Sequence, residues 1–212
     1  MARSDGAYNT AEGNASIATG GPSHAEGSGC TASGLNAHAE GLGSIASGAS
    51  SHAGGKSSSA SRLAQFSRAS GDISQVGDTQ FGQVYMMLET VDANPHNLLI
   101  GGSGGTLFVL ENNKSYCYHI LVIARSSTAG ASSAWEIVGG IKRVSGVTSA
   151  IGAPPAPVNL CNDGGASAVW TAAATATAGT NSLDIVVTTG GAPQTVNWMS
   201  VVSWVETLLT PA

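Results

Sequence analysis

Ser23-His24-Ala25-Glu26-Gly27, Ala37-His38-Ala39-Glu40-Gly41 and Ser51-His52-Ala53-Gly54-Gly55 are three versions of one segment, fourteen residues apart. Between them Ala-x-Gly returns at half that spacing, as Ala18-Thr19-Gly20, Ala32-Ser33-Gly34 and Ala46-Ser47-Gly48, and it decays at Ala60-Ser61-Arg62. A coiled coil needs large apolar residues at two positions of each heptad. This heptad offers Ala and a helix-disfavouring Gly instead.

The residue before each Ala runs Thr10, Ile17, His24, Thr31, His38, Ile45, His52, Ser59. Histidine therefore alternates with Ile or Thr, and the structural unit is fourteen residues. Two short strands and two glycine turns fill that length, which predicts one coil of a β-solenoid. Small Ala side chains fill the narrow interior, and Gly supplies positive φ at the corners. Alternation sets Ala25 and Gly27 on one side and His24 and Glu26 on the other. With coils stacked about 4.8 Å apart, His24, His38 and His52 form a ladder on one wall, and Ile17, Thr31 and Ile45 line the opposite wall.

These segments resemble the head repeats of trimeric adhesins of the YadA type, which also occur in phage tail-fibre proteins; the resemblance covers roughly residues 6–62. It implies a left-handed parallel β-roll with three chains around one axis, hence a homotrimer with Ile17 and Ile45 at its interface. Cys30 departs from the pattern, in a position where other copies carry small residues such as Ser16 and Ser44.

Composition agrees with repetitive β structure. Glycine numbers 29 and charged residues make up 10%, too little charge for a solvated disordered tail. The net charge is -5 and Lys142-Arg143 is the single adjacent cationic pair, so no nucleic acid partner is expected. Cys30, Cys117 and Cys161 are too few and too far apart for a disulfide framework or a zinc site, and read as thiols of a reducing cytoplasm. The N-terminus has no apolar signal region, and no stretch approaches the ~20 apolar residues of a membrane span. No membrane insertion is expected, and a protein of this kind acting outside a cell leaves by lysis or within a particle. The resemblance of the repeats to phage fibre proteins implies a virion location, with assembly in the host bacterial cytoplasm and action at the host surface.

The rules change over 63–80, where Leu63 and Phe66 are the first large apolar residues after the repeats and Ser70-Gly71-Asp72 and Gly77-Asp78 read as turns. The expected domains are 1–62 (β-roll), 63–80 (neck) and 81–212, an antiparallel β-sandwich of jelly-roll character. Its strands are read at Gln83–Val91, Leu98–Ile100, Thr106–Leu110, Tyr116–Arg125, Trp135–Val144, Ala166–Thr171, Leu183–Thr188 and Thr195–Leu208. Tyr116–Arg125 is apolar almost throughout and reads as a central strand buried on both faces. Gly82–Thr90, Asn181–Thr188 and Val196-Asn197-Trp198 resemble the C-terminal β-domain that follows such repeats in phage tail proteins.

Together the resemblances imply a virion structural protein, the tip of a phage tail fibre or spike. Its partners are other virion tail or fibre proteins and a host surface glycan, the receptor. The alternative is a purely structural virion fibre or head decoration protein. A cell-surface autotransporter is disfavoured, since it needs a signal and a membrane strand set and the chain ends Leu208-Leu209-Thr210-Pro211-Ala212.

The protein reads as no enzyme. Glu89, Asp92, Glu111, Glu136, Asp163, Asp184 and Glu206 are isolated, whereas glycoside cleavage takes a pair of carboxylates. No Gly-x-Ser-x-Gly elbow occurs, and His96 and His119 stand alone. The His24, His38, His52 row reads as a ladder whose rings are held by Glu or Ser rather than as a metal site, and no cofactor is expected. Glycan contacts are expected from Tyr85, Trp135, Trp170 and Asn162-Asp163, because a sugar ring stacks on an exposed aromatic.

Overall fold

The computed structural model describes residues 1–5 and 8–208. Gly6, where the repeat resemblance begins, and residues 209–212 of the C-terminal reading lie outside the described residues. Among the described residues the chain is all-β apart from a 3-10 turn at Gly165–Val169. It divides into two compact units, Met1–Val84 together with the chain from Trp204, and Tyr85–Ser203.

The first unit holds a parallel β-solenoid. One wall stacks Arg3–Ser4, Ile17–Ala18, Thr31–Ala32, Ile45–Ala46 and Ser59–Ala60. The other stacks Thr10–Ala11, His24–Ser28, His38–Leu42, His52–Lys56 and Phe66–Ser70. Pairing follows the repeat, with His24 opposite His38, His38 opposite His52 and His52 opposite Phe66. Parallel stacking thus continues past residue 62 as far as Ser70, through the segment read as a neck.

Ala18, Ala25, Ala32, Ala39, Ala46, Ala53 and Ala60 fill the interior without exposure. Beside them runs a column of Ser16, Cys30, Ser44 and Ser58, all fully buried. The Ser16 and Ser44 hydroxyls each donate to a glycine carbonyl, Gly27 and Gly55, at 3.3 Å. Cys30 fits because its thiol replaces a hydroxyl of similar size. Glycine is compulsory where coils touch: at Gly27, with φ +105°, a Cβ would lie 2.1 Å from the Gly41 carbonyl oxygen.

The last coil is closed by side chains. The Gln80 amide accepts from the Ser59 N–H at 2.7 Å and donates to the Ser59 carbonyl at 2.9 Å, so it takes the place of another coil's peptide. Gln80 also donates to Glu206 at 2.9 Å, and the Trp204 indole donates to the same carboxylate at 2.7 Å. Just before it, the Asp78 carboxylate gathers the N–H groups of Ile73, Ser74 and Gln75. Burial works against its charge, but these backbone donors prevail and hold its pKa well below the usual carboxylate range.

The second unit packs two antiparallel sheets. The larger runs, from its edge, Val147–Ala150, Ser132–Val144, Lys114–Ser126 and then the stretches of Val196–Leu208 and Thr79–Thr90 that lie within Tyr85–Ser203, with Val158–Asn162 paired to Ser132–Val144 and Leu99–Ile100 to Thr79–Thr90. The smaller joins His96–Asn97, Ser182–Thr188 and Phe108–Val109, with Thr171–Thr177 alongside Ser182–Thr188. Ile120, Val122, Ile137, Leu183, Ile185, Val187, Val202 and the indoles of Trp135, Trp170 and Trp198 form the core.

Three expectations change. The strand read at Ala166–Thr171 is the 3-10 turn, set by Gly164 and Gly165 at positive φ and by Ser167, whose hydroxyl and N–H both bond the Gly164 carbonyl; the strand begins only at Thr171. Val147–Ala150 and Val158–Asn162 are strands that the sequence reading missed. Tyr116–Arg125 is covered on one face: Tyr116, Tyr118, Ile120, Val122 and Ala124 point inward, while Leu121 and Ile123 remain 46% and 56% exposed.

Candidate functional site

The first candidate is the outer face of the His24 wall. The imidazoles of His24 and His38 stack at 4.8 Å and 9°, and those of His38 and His52 at 4.7 Å and 28°. Each glutamate leans toward the histidine one coil on, Glu26 Oε1 lying 3.6 Å from His38 Nε2 and Glu40 Oε1 3.3 Å from His52 Nε2. The second of these is a hydrogen bond. Nε2 of His24 and Nε2 of His38 are buried and have no hydrogen-bond partner. The glutamate-held ladder expected from the sequence therefore forms through Nε2 at His52 and not at the other two rings. Burial first, and then the charges of His52 and His24, push the His38 pKa down.

Glu12, Glu26 and Glu40 line an open groove with Gly13, Gly27, Gly41 and Gly55, ending at Arg68. The glutamate position of the fourth coil is Gly54, where a Cβ would come within 2.9 Å of Glu40 Oε1. On the opposite wall Ile17 is 37% exposed and Ile45 half-buried.

The residues expected to meet a glycan fall into two groups. Tyr85 is 43% exposed on Thr79–Thr90. Asn162 and Asp163 are exposed but occupied: the Asn162 side-chain oxygen accepts from the Gly164 N–H at 2.9 Å, and the Asp163 carboxylate from the Ser132 N–H at 2.8 Å. Trp135 and Trp170 are 4% and 3% exposed, each packed on Trp198 at 5.7 and 5.8 Å. Their indoles belong to the core and offer no exposed stacking face: strand alternation turns Trp135 inward, and Trp170 ends the 3-10 turn with its side chain buried.

The sequence reading passed over residues that continue the outward face of the strand carrying Tyr85. Strand alternation turns Tyr85, Met87 and Glu89 outward. Met87, Leu88 and Glu89 border an open groove of about 410 Å³ with Gly102, Ser103, Asn197, Trp198 and Met199. Next along the same sheet, Leu121, Ile123, Ala134, Leu160, Met199 and Val201 line an apolar hollow. The alternating exposure of strand residues carries this signal, which a count of hydrophobic residues conceals.

No family model and no curated protein matches the chain. Among solved structures it is similar to the tailspike protein of Acinetobacter phage vB_ApiP_P1, at 12% identity and a TM-score of 0.32, over 91% of this chain and 44% of that one. It is also similar to tailspike protein gp49 of Acinetobacter baumannii bacteriophage Fri1, a capsular polysaccharide depolymerase, at 9% identity and a TM-score of 0.34, over 95% of this chain and 35% of that one. The chain spans less than half the length of either tailspike.

Proposed function

We propose that this chain is a bacteriophage tail-fibre or spike component that binds polysaccharide on the bacterial surface, and that it works as a homotrimer. The observation that carries the reading is the outward strip of the larger sheet, where Met87 and Glu89 line an open groove with Ser103 and Asn197 and Tyr85, two residues before Met87 on the same outward face, is exposed. A sugar offers an apolar ring face and a rim of hydroxyls, and its binders pair an aromatic or apolar platform with a few polar groups. The resemblance of the repeats to phage fibre and adhesin heads points the same way.

Binding without cleavage is the form of the proposal. Glycoside hydrolysis takes two carboxylates, and of the residues lining this groove Glu89 supplies one. Trimerisation is supported by surplus apolar surface: Leu121, Ile123, Val138 and Leu160 are all more than 40% exposed on the face of a sheet whose other side is core. Apolar side chains exposed together on one sheet face, here around the His119–Glu136 pair, suit an association surface, and identical copies closing a ring bury it without open ends.

The test is binding of the full chain to capsule-bearing cells and to purified capsule, with native mass from light scattering. Tyr85→Ala and Asn197→Ala are expected to weaken binding about tenfold each, roughly 1.4 kcal/mol, at a mass near three chains. Released oligosaccharide would replace the binder with a depolymerase. No binding by a correctly assembled trimer would favour a purely structural fibre.

A further inference from the structure

We infer that the His24 wall of the solenoid is a divalent-cation site, at the two clusters Glu12–His24–Glu26 and Glu26–His38–Glu40, with a borderline transition cation such as zinc as ligand. In each cluster one imidazole nitrogen and two carboxylate oxygens lie within 4.8 Å of one another. A tetrahedral zinc ion held about 2.0–2.2 Å from nitrogen and oxygen ligands sets them roughly 3.3 to 3.6 Å apart. His38 Nε2 and Glu26 Oε1 already stand at 3.6 Å, while His24 Nε2 and Glu26 Oε2, at 3.9 Å, lie slightly wider. Small side-chain rotations bring the remaining oxygens in.

Two further observations agree. The imidazole nitrogens in these clusters, Nε2 of His24 and Nε2 of His38, are buried without a hydrogen-bond partner, and a buried polar atom left so calls for a ligand. Glu12, Glu26 and Glu40 stand on successive coils in one groove, and the cation that lines it with them, Arg68, stands two coils beyond Glu40. Like charges stacked across parallel strands repel, and a divalent ion between them removes the repulsion. Imidazole with carboxylate suits zinc and its neighbours rather than calcium or magnesium.

The pattern also sets the number of sites. His52 has Glu40 on one side and Gly54 on the other, so its coil, the fourth, lacks the second carboxylate. Glu26 belongs to both complete clusters and bridges them, so the second ion binds more weakly than the first.

The experiment is calorimetric titration of the chelator-treated full chain with zinc alone, repeated with cobalt to read its visible spectrum. Saturation at two ions per chain is expected, with a rise in melting temperature and a cobalt band typical of nitrogen and oxygen ligands. Glu26→Gln, which keeps the side chain's shape, is expected to abolish both ions. His38→Gln is expected to abolish one, and His119→Gln on the second unit to change nothing. Circular dichroism separates lost binding from lost fold, with Glu26→Gln deciding if His38→Gln does not fold. Absence of saturable binding overturns the inference, as does binding that survives in folded Glu26→Gln.

Discussion

Phe66 takes the position of His52 one coil further on, and its ring meets that imidazole edge-on at 5.3 Å and 73°. The stack of three histidines therefore ends on an apolar ring that neither accepts nor donates. The glutamate that would have leaned toward position 66 is also missing, replaced by Gly54. The repeat thus closes its polar column in a coordinated way, ring and carboxylate together.

Phe66→Ala removes that edge contact and is expected to lower the stability of the solenoid by about 1 kcal/mol. Denaturant unfolding, followed by far-ultraviolet circular dichroism, measures it. An unchanged midpoint would mean that the closing ring contributes nothing.

Two glycines of one coil are expected to behave differently. At Gly41, φ +98°, a Cβ would sit 2.1 Å from the Gly55 carbonyl oxygen, whereas at Gly43, φ +65°, a Cβ meets nothing within 4 Å. Gly43→Ala therefore costs only the left-handed conformation, about 1 kcal/mol. Gly41→Ala must also push adjacent coils apart and should cost about 3 kcal/mol or more. Thermal melts of the two variants test the ranking.

The converse substitution should stabilise. Ala15 has φ 56° at the corner where Gly29 and Gly43 stand in the following coils. Ala15→Gly removes left-handed strain, worth about 1 kcal/mol, less the backbone freedom glycine adds to the unfolded chain. A melting temperature equal to or above that of the parent is the expected result, and a clear drop would contradict it.

Acid should weaken the first unit in two separable steps. The folded pKa of His38 is lowered, so its contribution is full above the unfolded value of about 6.5 and is lost as pH falls below it. His38→Gln removes that step, measured with chelator present. Asp78 is also lowered, so its contribution is full above about 3.9 and disappears in stronger acid. Asp78→Asn should cost about 2 kcal/mol at neutral pH and flatten the acid step.

The legible parts of the fold are those that recur. Ala25, Ala39 and Ala53 announce the interior because the same residue returns at the same place, and the histidine wall follows from the residue before each. What closes the repeat happens once and has no period: nothing around Gln80 says that its amide substitutes for a peptide of Ser59. In the second unit, Tyr116–Arg125 is apolar at inward and outward positions alike, so its composition conceals which side the chain itself covers. Trp135 and Trp170 suggest platforms by residue type, and only the pleat reveals that they point inward. The glutamate and histidine rows were visible as residues, but the two unpartnered ring nitrogens depend on side-chain lean, which no spacing records.

Each coil meets the next through the same backbone contacts, with a glycine facing a carbonyl at one register of fourteen residues. Whole coils are therefore interchangeable, and partial ones are not. Misaligned copying of the gene that gained or dropped one complete unit would return every glycine to a matching carbonyl. Such an event changes the length of the rod by a step of about 4.8 Å and leaves its cross-section alone, whereas any other insertion strikes a wall of oxygen atoms.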